Sequence, residues 1–190
     1  MPRSDAQLLG DADPDGHAFE EFVVRHHDAL RGYILRRLGP NEADAVLNDV
    51  FLTAYRTRDR FRSEADDARP WLFGIATNLI RRERRAEARA LRAFAASAVD
   101  PVAPHVRTPD VAVSAEVAAA LQGMRPKHRD ALFLHAVAEL SIDEIAVAMD
   151  VAPGTVKSWL HRARAHARRA LETNPTTDAA APAASTETNR

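Results

Sequence analysis

A proline-rich stretch in the middle of the chain separates two regions that both carry the residue spacing of helices. Between residues 93 and 113 this spacing stops, and Pro101, Pro104 and Pro109 stand among alanine, valine and serine. Proline cannot donate a backbone hydrogen bond, and such a composition is typical of an extended linker. The sequence therefore predicts two small domains joined by a flexible linker.

Both regions predict α-helices. Apolar residues recur every three or four positions, which is the period of a helix that buries one face. The chain has only 7 glycines in 190 residues, and scarce glycine with abundant alanine, leucine and arginine favours helix over sheet. We predict an all-α fold whose first domain covers residues 17–92 and whose second covers residues 114–172. Gly39 and Pro40 should end a first helix that begins near His17.

The two ends of the chain are predicted to be flexible. Residues 1–16 form an acidic leader, and residues 173–190 contain threonine, alanine and proline with almost no large apolar side chain. Such segments bury too little apolar surface to become ordered. The first residues lack the apolar core of a signal peptide, and no apolar run approaches the ~20 residues of a membrane helix. We therefore expect a cytoplasmic protein without membrane insertion.

Residues that could support a metal site or catalysis are not grouped in the sequence. There is no cysteine. His26 and His27 are adjacent and His161 and His166 are five residues apart, so neither pair has the i, i+4 spacing of two ligands on one helix face. No glycine-rich phosphate loop or nucleophile motif is present. We expect neither an enzyme nor a bound metal or cofactor.

The formal net charge is −1, but cations and acids are segregated along the chain. One basic cluster lies at the end of the first domain, and a second lies in a late stretch without acids. Such clusters indicate local contact with phosphate groups, and two solvated helix faces are the alternative. The clusters are Arg81, Arg82, Arg84, Arg85, Arg89 and Arg92, and Lys157, Arg162, Arg164, Arg168 and Arg169.

The second domain contains two helix starts with a short turn between them. Ser141 and Glu144 have the spacing of a capping box, in which each side chain bonds the backbone N–H of the other residue. Asp150 tolerates the left-handed conformation of a tight turn, and Pro153 suits the first turn of the next helix. This is the pattern of a helix-turn-helix, whose second helix enters the major groove of DNA.

The second of these helices has one apolar face and one face without acids. Val156, Leu160 and Ala163 fall on the apolar side. On the opposite side, short donors can reach base edges and long cations can hold phosphates. A purely structural helix pair is the alternative. We predict base contacts from Ser158, His161 and Arg162, and phosphate contacts from Lys157, Arg164, Arg168 and Arg169.

Several segments of the chain resemble the extracytoplasmic-function (ECF) sigma factors of bacterial RNA polymerase. The matches cover about residues 19–171 and follow the family's order. In the first domain, NDVFL (48–52) looks like the polymerase-docking helix and RPWLFGIATNL (69–79) like the promoter-melting helix. In the second domain, MRPKHRDAL (124–132), LSIDEIA (140–146) and PGTVKSWLHRAR (153–164) are similar to the domain that reads promoters.

The resemblance implies a sigma factor that directs core RNA polymerase to promoter DNA, with an anti-sigma protein as a further potential partner. It implies that the first domain docks on polymerase and holds a flipped base of the −10 element near the loop of residues 60–69. The second domain would read the −35 element. The residues implied are Asn48, Asp49 and Leu52 for docking, Asn78, Arg81, Arg82 and Arg85 for the −10 element, and Thr155, Lys157, Ser158, His161, Arg162 and Arg164 for the −35 element.

Some positions depart from the family's pattern. Ala45 and Asn48 stand where the family more often has an acid and a glutamine, Asp150 replaces the commoner glycine of the turn, and Trp159 is bulkier than the usual residue. Two other functions remain as alternatives. One is an ordinary helix-turn-helix regulator that acts without polymerase docking, and the other is an adaptor that binds only proteins. The patterns do not specify the promoter sequence or the inducing signal.

Overall fold

A computed structural model describes residues 3–10, 16–61, 66–97, 117, 120–121 and 123–173. That part of the chain contains helices and no strand, so the predicted all-α fold is confirmed. Its helices are α1 (Asp5–Gly10), α2 (His17–Leu38), α3 (Pro40–Thr57), α4 (Arg69–Ser97), α5 (Pro126–Ala136), α6 (Ile142–Met149) and α7 (Pro153–Thr173), with a 3₁₀ turn at Arg58–Arg60. We call α2–α4 the first module and α5–α7 the second module.

The turn between α2 and α3 is formed by one glycine. Gly39 has φ 87°, in the left-handed region that glycine adopts without strain, and its N–H donates to the Leu35 carbonyl at 2.9 Å. Pro40 then occupies the first position of α3, where its missing N–H leaves no bond unmade. α2 therefore ends at Leu38, as the sequence predicts.

The first module buries one face of each of its three helices. The rings of Tyr33 and Phe73 meet edge to face with centroids 5.2 Å apart, which ties the end of α2 to the start of α4. This packing leaves the opposite faces of α3 and α4 toward solvent or toward the second module. The buried side chains include Phe22, Leu30 and Ile34 from α2, Val46, Val50 and Ala54 from α3, and Leu72, Ala76 and Ile80 from α4.

The start of the chain corrects the prediction of a flexible leader over residues 1–16. Asp5–Gly10 form α1, which packs on α2 and buries Leu8 and Leu9. Burial of two adjacent leucines stabilises even one short helix, although a six-residue segment is too short to show a helical period. Residues 11–15 lie outside the described part of the chain.

Asp5 joins α1 to the start of α4. Its carboxylate accepts hydrogen bonds from Arg25 Nη1 at 2.7 Å and from the backbone N–H of Ala68 at 2.9 Å, and it contacts His26 Nε2 at 2.9 Å. Burial alone would raise the pKa of Asp5, but His26, the Ala68 N–H and Arg25 together hold this pKa below its usual value. The carboxylate therefore fixes the residue that immediately precedes α4.

α4 extends further than the sequence predicts. It continues to Ser97, five residues into the segment of residues 93–113 that was expected to be a linker. Three of those five residues are alanine, the best helix former, and the first proline of the segment comes only at Pro101. The rest of the predicted linker lies outside the described residues, as does the predicted flexible end from residue 174 onward.

The second module contains the predicted capping box. The Glu144 N–H donates to Ser141 Oγ at 3.3 Å, and the Ser141 N–H donates to Glu144 Oε2 at 2.7 Å. α6 ends at Asp150, whose φ of 52° is left-handed as predicted. α7 then begins at Pro153 after a short turn, so the arrangement is a helix-turn-helix.

The two modules pack directly on each other. α4 runs against α6, and Gly74 lies so close to α6 that an added Cβ would stand 2.6 Å from the Ala148 carbonyl oxygen. Arg69 Nη2 also donates to the carbonyl oxygen of Ala138 at 2.8 Å. Apolar side chains of both modules belong to one continuous core. The surfaces that the modules turn toward each other are therefore covered in this arrangement.

Candidate nucleic-acid and docking surfaces

α7 presents the predicted recognition face to solvent. Val156, Leu160 and Ala163 are buried, as the apolar stripe predicts. In the described part of the chain, Lys157, Arg162, Arg164 and Arg168 on the opposite face form no ion pair with an acid. The structure thus brings the six predicted −35 residues together on one helix. Of these, Lys157, His161, Arg162 and Arg164 are exposed, and Thr155 and Ser158 are partly exposed.

The start of α5 adds positive charge beside α7. Arg125 and Lys127 are exposed, and Lys127 Nζ lies 5.7 Å from the centre of the Trp159 ring. The pKa of His128 is lowered by burial and then by the positive charges of Arg162 and Arg125, so these groups face the same space. The sequence prediction of the DNA surface does not include Arg125 and Lys127. Their signal was present in the sequence as a basic run after Met124.

The predicted docking residues share one exposed face of α3. Asn48 and Asp49 are exposed, and the side chain of Leu52 is 45% exposed. Tyr55 continues this face one turn later. The Tyr55 ring packs edge to face on the Phe19 ring, with 5.0 Å between ring centres. The guanidinium carbon of Arg58 lies 4.2 Å from the centre of the Tyr55 ring. An exposed leucine and tyrosine beside polar groups form a surface suited to binding another protein.

The loop before α4 is described at its two ends. Arg58–Arg60 form the 3₁₀ turn, and the Phe61 ring then packs on Trp71 at 5.4 Å between ring centres. Residues 62–65 of the predicted base-binding loop lie outside the described residues. At the other end, Ala68 is buried and held by Asp5, as described above. The pocket for a flipped base that the resemblance implies is therefore not defined by contacts here.

The predicted −10 residues on α4 fall into two groups. Asn78, Arg82 and Arg85 are exposed. Arg81 instead turns toward the second module, where its Nε donates to Asp130 Oδ2 at 2.6 Å. In this arrangement Arg81 is occupied by an acid of its own chain.

Asp130 of α5 is the centre of a buried ion-pair network that the sequence does not predict. It pairs with Arg37 of α2 as well as with Arg81, and Asp130 and Arg37 are each only 1% exposed. Arg37 Nη1 also donates to the hydroxyl of Tyr33 at 3.0 Å. Arg37 and Asp130 are 93 residues apart in sequence, so no local pattern could have indicated their ion pair.

The network contains more cations than acids. Arg84 donates to the backbone carbonyl of Arg37. Burial, followed by the nearby charges of Arg37 and Arg129, lowers the pKa of Arg84 to about 10. Burial and Arg37 lower the pKa of Arg129 as well. Asp130 is thus the acid around which four arginine side chains collect.

The described residues also bear on metal binding and on membrane insertion. They hold no group of three or more histidine, cysteine, aspartate or glutamate side chains arranged to bind a metal ion. No helix among them is both long and apolar enough to cross a membrane.

Two protein-family models match the chain, one in each module. Residues 22–90 match the family described as Sigma-70 region 2, and residues 114–166 match the family described as Sigma-70, region 4. The first match spans the docking helix and the first basic cluster except Arg92. The second spans the helix-turn-helix.

Curated relatives match over most of their length. The chain is 36% identical to the ECF RNA polymerase sigma factor SigM of Mycobacterium tuberculosis, over 89% of this chain and 85% of SigM. It is 29% identical to the RNA polymerase sigma factor CarQ of Myxococcus xanthus, over 76% and 84% of the two chains. It is also 29% identical to the ECF RNA polymerase sigma factor SigW of Bacillus subtilis, over 83% and 90%.

Solved structures share the fold. CnrH, solved in complex with the cytosolic domain of CnrY, is 26% identical and superposes with a TM-score of 0.64 over 90% of this chain and 98% of CnrH. The sigma factor RpoE of Bartonella quintana, solved in complex with the anti-sigma factor NepR, is 22% identical and has a TM-score of 0.62 over 82% and 98%. Both likenesses extend over the two modules of this chain.

Proposed function

Since the chain belongs to the ECF RNA polymerase sigma factors, it directs core RNA polymerase to promoters, and we propose that three separate surfaces divide this work. One surface docks on polymerase, one binds the −10 element and one reads the −35 element. The observation that carries the proposal is the exposed, acid-free face of α7 behind a capped turn. Binding energy alone drives the melting of DNA, so the protein works without catalysis of its own, in the cytoplasm beside the polymerase.

The −35 element is read by the exposed side of α7. Ser158 and Arg162 lie one turn apart and point away from the buried stripe around Leu160. An arginine in this position makes a bidentate contact to the major-groove edge of guanine. Phosphate contacts from flanking cations hold the helix in register. We assign base contacts to Ser158, His161 and Arg162, with Thr155, Lys157 and Arg164 at the backbone.

The −10 element is bound along the outer side of α4. The exposed residues on that side are Asn78, Arg82 and Arg85. They lie on the helix that begins directly after the loop of residues 60–69. Opening a duplex requires a cationic surface that holds the displaced strand and a place for an unstacked base. Arg81 belongs to the same proposed set, but it reaches DNA only after it leaves Asp130.

The exposed face of α3 docks on core polymerase. Asp49 is exposed beside Asn48 and Leu52, and it makes no ion pair within the described residues. Asp49→Arg should leave the fold intact and weaken binding to core polymerase by about tenfold, since it reverses one charge at an interface. Competition with the wild-type chain for core polymerase measures this effect. Equal competition by the variant would show that the docking surface lies elsewhere.

A protein of the anti-sigma kind belongs among the proposed partners. RpoE of Bartonella quintana, which shares the fold of this chain, was solved in complex with an anti-sigma factor. Such a partner would compete with polymerase or DNA for the surfaces on α3, α4 or α7.

Transcription in a reconstituted system tests the whole proposal. Core RNA polymerase and the full chain are supplied with a library of promoters randomised at the −10 and −35 positions. We expect transcripts that depend on the chain and that carry a consensus at both elements. Sequence-specific binding of tight affinity by the free chain, with no effect of core polymerase, would instead favour an ordinary helix-turn-helix regulator.

A further inference from the structure

The carboxylate of Asp130 occupies a site that is built by the first module. Its two oxygens are each bound by a different arginine, Arg37 from α2 and Arg81 from α4. Both arginines belong to the first module, whereas Asp130 is the residue that the second module contributes. The site is largely shielded from solvent, because Arg37 and Asp130 are almost completely buried, although the side chain of Arg81 is 26% exposed.

Arg37 is held in place without help from Asp130. Its Nη1 donates to the Tyr33 hydroxyl at 3.0 Å, and that hydroxyl hydrogen-bonds Thr77 Oγ1 at 2.9 Å. Thr77 in turn donates to the Phe73 carbonyl at 2.7 Å. Arg84 also binds the backbone carbonyl of Arg37. Most of the groups that hold Arg37 thus belong to the first module, while the Phe133 ring of the second module covers the guanidinium at 4.7 Å.

A carboxylate does not satisfy all the donors of this site. In the described part of the chain, Arg37 Nε and Arg81 Nη2 are buried side-chain nitrogens without a hydrogen-bond partner. Each oxygen of Asp130 is bound by one arginine nitrogen. A phosphodiester also carries its charge on two non-bridging oxygens, and arginine forks bind phosphate through two parallel N–H groups. A phosphate in place of the carboxylate could therefore take the same two bonds and accept further ones from Arg37 Nε and Arg81 Nη2.

We propose that Arg37 and Arg81 form a DNA-backbone phosphate site that Asp130 occupies as a mimic while the two modules are packed together. This proposal rests on the proposed −10 surface, because the site lies on α4 beside Asn78, Arg82 and Arg85. It adds Arg37 to the DNA-binding residues and gives Asp130 the role of a competitor. DNA at this site and contact between the modules exclude each other, so each weakens the other by the same factor.

The first test is DNA binding by the free full-length chain at low salt. A labelled DNA oligonucleotide of arbitrary sequence suffices, because a backbone contact does not depend on sequence. Asp130→Asn should raise the affinity for this oligonucleotide about fivefold, since it removes the competing charge. Asp143→Asn, which neutralises an exposed acid of α6, makes the same change in net charge and should have less than a twofold effect.

The second test asks whether the gain passes through Arg37. In an Arg37→Gln background, Asp130→Asn should change the affinity by less than twofold, and the slope of log affinity against log salt should fall by about one. An equal gain with and without Arg37 would overturn the proposal, because the effect would then come from net charge alone. Unchanged affinity in Asp130→Asn would also overturn it.

A further variant leaves every charged residue in place and so covers the case in which Asp130→Asn fails to fold. Gly74→Ala puts a methyl group against the Ala148 carbonyl at 2.6 Å and should part the modules. Gly32→Ala is the matched control, since it also replaces a glycine inside a helix but meets only the flexible end of Arg36. We expect Gly74→Ala alone to raise the affinity for the oligonucleotide severalfold. If Gly74→Ala separates the modules in small-angle scattering without raising that affinity, the proposal is wrong.

Failure of this proposal can be told from failure of the proposed function. Suppose that the wild-type chain directs transcription with core polymerase but Asp130→Asn leaves DNA binding unchanged. These two results together would contradict only the proposed phosphate site. If the wild-type chain directs no transcription, the proposed docking, −10 and −35 surfaces are themselves contradicted.

Discussion

The two candidate DNA surfaces of this chain differ in what neutralises them. On α7, Lys157, Arg162, Arg164 and Arg168 are exposed and form no ion pair with an acid of the described residues. On α4, Arg81 is bound by Asp130, and Arg84 is tied to the backbone of Arg37. The acid that neutralises the α4 surface comes from the module that carries α7. One DNA surface is thus accessible, while part of the other is covered by the chain itself.

This difference limits how many phosphate contacts the free chain, whose net charge is −1, can make through its two basic surfaces. An exposed cationic surface binds any DNA through phosphate contacts, and this non-specific binding grows with the number of contacts. Covering part of the α4 surface leaves the free chain with few phosphate contacts at a time. If Arg37 and Arg81 bind DNA as proposed, the modules must separate, and core polymerase is the partner proposed to hold them apart.

The largest expected effect comes from removing the α7 surface altogether. Leu160 is 2% exposed and belongs to the core. Leu160→Asp buries a charge without a partner, which costs several kcal/mol, so the second module should unfold while α2–α4 stay folded. Thermal circular dichroism and limited proteolysis measure this, with Arg168→Asp on the exposed side of α7 as the control. A single transition in which both modules unfold would show that the two surfaces are not independent.

A smaller effect is expected when one base contact on the accessible surface is lost. Arg162→Ala should lower transcription from the cognate promoter about tenfold, because a bidentate arginine–guanine contact contributes about 1–3 kcal/mol of discrimination. It should also relax the preference at one base pair of the −35 element. Transcription from a −35 library with reconstituted polymerase is the measurement. An unchanged rate and preference from a folded variant would place the reading face elsewhere.

Loss of a backbone contact on the same helix should matter less and differently. Lys157 is exposed at the side of the recognition face, so Lys157→Ala should weaken all promoters about two- to fourfold and lower the salt slope by about one. Measuring both variants on the same library separates the two kinds of contact. A change of base preference in Lys157→Ala would mean that Lys157 reads bases instead of holding a phosphate.

The features predicted from sequence were those set by neighbouring residues. The end of α2 at Leu38 follows from a glycine and a proline, and the start of α6 follows from Ser141 and Glu144, which are three residues apart. The exposed face of α7 follows from helical period alone. These signals act within one or two turns, where propensity and capping decide the backbone.

The features that the sequence did not reveal depend on contacts between distant residues. Asp130 appears in sequence as an ordinary polar residue of a surface helix, and Arg37 as a cation at a helix end. Only the packing of α5 on α2 and α4 buries both and joins them across 93 residues. The sequence does not indicate α1 for a related reason. Its stability comes from Leu8 and Leu9, which are buried as α1 packs on α2, and from Asp5, which bonds the backbone of Ala68.

The smallest expected effect concerns Glu144, which caps α6 at the contact between the modules. Hydrogen bonds from the side chain and the backbone of Ser141, reinforced by the charge of Arg69 on the first module, lower the pKa of Glu144 below its usual value. The stability that ionised Glu144 contributes is therefore complete above its unfolded pKa of about 4.3 and is lost as the pH falls through the lower folded pKa.

Glu144→Gln keeps an acceptor for the capping bond but removes the charge, so at pH 7 it should cost less than the ~1 kcal/mol of a lost cap. The difference from wild type in urea unfolding should shrink as the pH falls from 5 to 3, because protonated Glu144 no longer differs in charge from glutamine. A difference that stays constant down to pH 3 would show that the charge of Glu144 does not support α6. The contact between the two modules would then depend only on the ion pairs of Asp130 and on apolar packing.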